Sequence, residues 1–182
     1  MHPQLEIIAT EFQQADERLR RLGERVPDEL WSRRPAPERW SVGECVAHLN
    51  LTAHAFLPLL DAALEEARSL GGGAPGRYRH DLLGWLLWRG SGEPARFKSR
   101  TAAAFIPSGS EPPAELRAEF ERLQAEQHER VRGADGLPIQ KVRIISPFDA
   151  RVRYSLYSAL AILARHQHRH LWQAEQAAAA LV

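Results

Sequence analysis

The sequence predicts an all-α protein built as a four-helix bundle, and three observations predict it. Four segments place apolar residues at intervals of three and four, the spacing that lays side chains along one side of an α-helix. Prolines, glycines and one capping box stand where those segments begin and end. The connections are short, long and medium in turn, and the long one, roughly residues 71–111, lets the second and third helices run parallel. At 182 residues, 44% apolar and 26% charged, the chain has the size and composition of one globular domain, 1–182, with that long excursion as an insertion.

In the first helix, Leu5, Ile8, Phe12, Ala15, Leu19, Leu22 and Val26 draw one narrow apolar stripe that opens at Pro3 and ends at Gly23 and Pro27. The prolines of Arg33-Arg-Pro-Ala-Pro37 forbid a continuing helix and mark a linker. Ser41-Val-Gly-Glu44 then reads as a capping box, with Trp40 and Cys45 at the staple positions, which gives Glu44 a structural role. Cys45 reads as a small buried hydrophobe, because no basic neighbour lowers its pKa. This second helix extends to about Leu70, places His48 inward and His54 outward, and should kink at Pro58.

Within the excursion, Asp81-Leu-Leu-Gly-Trp-Leu-Leu-Trp88 suits a short amphipathic helix anchored by Trp85 and Trp88, and Arg96-Phe-Lys-Ser-Arg100 is a basic cluster. Two readings stay open: an insertion packed on the bundle, or a lid with cationic groups for an acidic substrate. Pro112 and Pro113 open a third helix along Leu116, Phe120, Leu123, Gln127 and Val131, with His128 at its flank as a surface residue. Residues 136–147 read as loop, since Val142 to Ile145 is too short a run to establish a strand, and 148–153 lead into the last helix. That helix carries Leu156, Ala159, Leu160, Leu163, His166, His170, Ala174 and Ala177 on one face.

The net charge of +1 gives no reason to expect nucleic acid or a membrane surface as partner. A single cysteine excludes an internal disulfide framework and a cysteine-held metal cluster. The start Met-His-Pro-Gln-Leu-Glu lacks a signal peptide's basic and apolar regions, and no apolar run approaches the ~20 residues that cross a bilayer. A cytoplasmic protein is expected.

Chemistry concentrates in His166-Gln-His-Arg-His170. At about 100° per residue, His166 and His170 share the apolar face, while His168 lies about 140° from its centre and is expected to meet solvent. Two imidazoles four apart can reach one metal ion at ~2.1 Å if a third ligand comes from elsewhere, and His48 is the candidate. The alternative is that one histidine bonds a buried carbonyl and the other is half exposed. Three nitrogen ligands leave a position open, as catalytic sites do, and favour a borderline transition metal over magnesium or calcium. Gln173 is within reach of His170 as a hydrogen-bond partner. Neither Asp149 nor Glu44 makes a convincing general base. Arg151 and Arg153 precede the metal helix, either to hold a carboxylate or thiol cofactor at the mouth of the site or as a solvated basic loop.

Trp40-Ser-Val-Gly-Glu-Cys-Val-Ala-His-Leu49 and Arg165-His-Gln-His-Arg-His-Leu-Trp-Gln173 resemble the motifs of the DinB/YfiT-like superfamily of bacterial four-helix proteins. The first is similar to Trp-Ser-x-x-Glu-x-x-x-His-Leu and the second to His-x-x-x-His-Leu-x-Gln. The resemblance spans the bundle but not the excursion after Gly71. It implies an up-down-down-up bundle with a divalent ion, often nickel or zinc, held by the residues aligned to His48, His166 and His170. It implies either a metal-dependent enzyme, a low-molecular-weight thiol S-transferase or hydrolase acting on a small-molecule substrate, or a non-catalytic module whose metal tethers helices. A homodimer through the apolar first helix is compatible with the sequence.

Overall fold

In the computed structural model, which describes residues 1–94, 101–109 and 111–181, α1 runs Pro3–Arg25, opened by Pro3 and capped by the His2 ring, which accepts from the Gln4 amide. Its buried residues are those of the predicted stripe. A 3-10 turn at Asp28–Leu30 and the proline linker lead to α2, Val42–Ser69. There the capping box forms: the Glu44 amide donates to Ser41 Oγ at 3.1 Å and the Ser41 amide to Glu44 Oε2 at 2.8 Å. Arg34 closes the cap from outside with a 2.9 Å bond to Glu44. Ser41→Ala is therefore expected to cost about 1 kcal/mol of stability, measured by chemical denaturation. Pro58 takes an exposed position and α2 continues through it unbroken.

The excursion carries α3, Leu82–Gly90, the short helix that the sequence predicts, capped by Asp81. Only half of the expected tryptophan anchor exists: Trp88 packs on the core, whereas Trp85 is 43% exposed. Gly84 faces α5 so closely that a Cβ there would lie 2.2 Å from Ser158 Oγ. A second 3-10 turn spans Ala103–Phe105, and the basic Arg96–Arg100 cluster lies outside the described residues. Helix α4, Pro113–Gly133, buries the predicted stripe.

The region read as loop and lead-in is a hairpin. Strand β1, Arg143–Ser146, pairs antiparallel with β2, Asp149–Ser155, placing Ile144 opposite Tyr154, with a register shift between Ile145 and Ser146. Ile144 and Tyr154 are both buried, and this cross-strand pair supplies the cohesion that run length alone did not signal. Helix α5, Leu156–Ala179, follows directly, capped by Ser155. The described residues are thus mostly helical, five α-helices and a two-stranded sheet, and no helix among them is long and apolar enough to cross a membrane.

Helix α5 packs on α1, α2 and α3, and α4 packs on α1 and α2. The apolar core falls into two principal clusters. One holds Leu5 to Phe12 of α1, Phe56 to Ala67 of α2, Val131 of α4 and Leu156 to Ala164 of α5. The other holds Ala15 to Leu22, Val42 to Leu49, Leu116 and Phe120, and Leu171 to Ala178. Between them lies a polar waist. Gln167 of α5 donates to the side-chain oxygens of Gln124 (2.7 Å) and Gln127 (3.3 Å) of α4, and Gln124 donates to the Phe12 carbonyl (3.2 Å). All three glutamines are buried.

Candidate metal centre

His48, His166 and His170 meet in this waist. The capping box fixes the start of α2, so the turn carrying His48 faces inward, and Thr52 closes that turn by donating its hydroxyl to the His48 carbonyl at 2.8 Å. Helix α5 supplies the other two from successive turns of one face. Ring centroids lie 4.4 Å apart for His48–His170 and for His166–His170, and 5.2 Å apart for His48–His166. One ligand atom from each ring lies within 4.8 Å of the others, and the group can hold a metal ion.

The donor set fits that use. His48 Nδ1 lies 2.8 Å from the Phe105 carbonyl oxygen. A carbonyl only accepts, so the proton sits on Nδ1 and the Nε2 lone pair faces the cluster. His48 Nε2 and His166 Nε2 stand 3.4 Å apart, the edge of a tetrahedron with its corners ~2.1 Å from the centre. His166 Nδ1 and His170 Nδ1 are buried without a hydrogen-bond partner among the described residues.

Electrostatics keep all three rings neutral, the form that binds metals. Burial lowers the His48 pKa, against the Phe105 carbonyl, which favours the charged ring. Burial, then the His48 and Arg169 charges, pushes His166 down to about 3. Burial and the neighbouring His166 and His48 hold His170 well below the ordinary imidazole range, opposed in part by the Gln173 side chain. His48 and His170 are 3% and 8% exposed, and His166 is half-buried. Aromatic rings wall the group: Trp40 against His48 at 5.0 Å and His170 at 5.9 Å, and Phe148 against His166 at 6.0 Å.

The remaining candidates go elsewhere. His168 is phased away from the triad as predicted, but it packs on α1 instead of meeting solvent: its Nε2 lies 2.9 Å from the Glu11 carbonyl and its Nδ1 3.1 Å from Arg18. His128 is not a surface residue either, being half-buried beside Phe12 and 3.7 Å from Asp16. His54 is outward and pairs with Glu119 at 2.6 Å. Glu44 is committed to its cap and to Arg34, whose bonds, with those of Ser41, outweigh burial and lower its pKa. Asp149 pairs with Arg151 at 2.7 Å, which holds its carboxyl down at about 2, so it is no general base. Arg151 and Arg153 are exposed on β2, and the part of this hairpin that touches the triad is Phe148.

Phe105 and Phe148 had no sequence signal as site residues. Phe105 lies 57 positions from His48, and only the length of the excursion hinted at a role there. Arg169, whose charge reaches both His166 and His170, was hidden inside the histidine run. A family model described as DinB superfamily matches residues 11–174. No curated protein and no solved structure matches.

Proposed function

The chain belongs to the DinB superfamily, and from that premise we propose that it is a metal-dependent enzyme in which His48, His166 and His170 hold a divalent transition ion, nickel or zinc. The observation that carries this reading is the convergence of three neutral imidazoles from two helices, two buried and one half-buried, with no carboxylate or thiolate among them. Such a set leaves the ion's charge uncompensated and a coordination position free, which favours an anionic ligand there. The reaction proposed is transfer of a low-molecular-weight thiol to a small electrophile, with hydrolysis as the variant in which water takes the thiol's place. The bound ion supplies a lowered pKa to the thiol or water beside it.

The chain's own groups do the rest. The Phe105 carbonyl holds the His48 proton at Nδ1, and Trp40, Phe105 and Phe148 exclude bulk water from the imidazoles. Arg151 and Arg153 are the cations this reading offers to a carboxylate of the thiol. The same reading takes α1, α2, α4 and α5 as an up-down-down-up four-helix bundle. The two apolar clusters support it, since α2 and α4 begin in the cluster where α1 and α5 end.

The burial of His48 and His170 favours one second reading, a metal that ties α2 to α5 without turnover. Cobalt-substituted protein separates the two. On addition of low-molecular-weight thiols the enzyme reading expects a new sulfur-to-cobalt charge-transfer band, and a spectrum indifferent to every thiol supports the tether.

A further inference from the structure

We propose that residues 101–109 are a working part of the metal centre, with Phe105 as its positioning residue, so that ion binding and docking of this segment form one linked equilibrium. This rests on the metal-binding reading above.

The His48 tautomer comes first. The 2.8 Å contact from Nδ1 to the Phe105 carbonyl keeps the proton on the outer nitrogen and leaves Nε2 free to bind the ion. Without that carbonyl, a neutral His48 can place its proton on either nitrogen, and one of the two forms is no ligand at Nε2. An element outside the four long helices thus decides whether the α2 donor is available.

The returning chain is laid along α2 to make this contact. Phe105 stands over His48, and Gly109 stands over Glu44 one turn earlier, where a Cβ would meet Glu44 Cγ at 3.4 Å. Gly109 has φ +76°, a conformation that favours glycine. Ala103, Ala104 and Ile106 are exposed, whereas Phe105 and Pro107 are buried, and Phe105, 5% exposed, packs on Phe148 at 4.4 Å. Phe148 in turn contacts His166, so Phe105 reaches the α2 ligand through its carbonyl and the α5 ligand His166 through its ring's neighbour. Coupling of this kind is reciprocal: whatever factor docking adds to ion affinity, the ion adds to docking.

Zinc titration of the full chain, with hydrogen exchange of peptides covering 101–109, tests this. Wild-type exchange in 101–109 is expected to slow at least ~10-fold with zinc, while peptides covering 71–76 stay unchanged. Phe105→Ala should bind zinc roughly 10–100-fold more weakly and shift the cobalt spectrum, and Phe105→Leu, which keeps an apolar anchor, should recover most of both. Zinc that leaves 101–109 exchange unaltered, or Phe105→Ala with wild-type affinity and spectrum, overturns the inference while metal binding stands. A wild-type chain that takes up no zinc overturns the metal reading itself. The exchange measurement on wild type needs no variant, so it decides even if Phe105→Ala folds poorly.

Discussion

His48→Ala is expected to purify without metal, and the wild-type chain with about one equivalent of divalent transition ion. His48 is the one donor from α2, and removing it leaves two imidazoles from successive turns of α5, too few for a three-nitrogen site. The loss is visible without assaying turnover. At free metal 100-fold above its dissociation constant, the ion adds about 2.7 kcal/mol to wild-type stability. That increment should vanish in His48→Ala and His166→Ala, as read by thermal unfolding with and without metal. His168→Ala makes the contrast: it should keep its metal while losing about 1 to 2 kcal/mol, because its ring bridges the Glu11 carbonyl and Arg18 on α1. Metal retained at full stoichiometry by His48→Ala would refute a site spanning two helices.

The second large effect is expected far from the triad. Asp81 caps α3 through the Gly84 amide (3.0 Å) and reaches the start of α5 through the Ser155 amide (2.7 Å) and the Ser158 hydroxyl (3.2 Å). One carboxylate thus satisfies donors at two helix N-termini, where negative charge is favoured. Asp81→Ala strands these groups in a partly buried corner and should cost about 3 kcal/mol, with Asp81→Asn falling between it and wild type. The pH dependence has a definite sign. Burial raises the Asp81 pKa, but the bonds from Ser155, Gly84 and Ser158 together outweigh it, and the net shift is downward. A carboxyl depressed in the folded state stabilises fully above its unfolded pKa, ~3.9, and that contribution is lost as pH falls through the folded value. The gap between wild type and Asp81→Ala in urea denaturation should therefore narrow below about pH 4. A gap constant down to pH 2 would assign the cost to packing instead of charge.

What sequence could disclose followed from local periodicity. The helical stripes, the Ser41–Glu44 cap and the phase that separates His166 and His170 from His168 are properties of residues within a turn or two of each other. The errors share a physical cause, that the partner lies beyond the turn or two over which periodicity speaks. His168 points away from the triad, but the opposite side of α5 is covered by α1, so distance from one face did not mean exposure. Four residues of β1 are weak alone and are fixed by Tyr154 across the hairpin. Phe105 was silent because its carbonyl, common to every residue, does the work.

The three glutamines bear on how the triad is aligned. Sliding α5 by one helical turn, about 5.4 Å, would drive the Gln167 amide into one apolar cluster and leave the Gln124 and Gln127 oxygens facing hydrocarbon. The amide network therefore acts as an index mark for the axial position of α5, in the way a buried asparagine fixes a coiled-coil register. His166 and His170 flank Gln167 on that helix, so their height against His48 is set by amides that bind no metal.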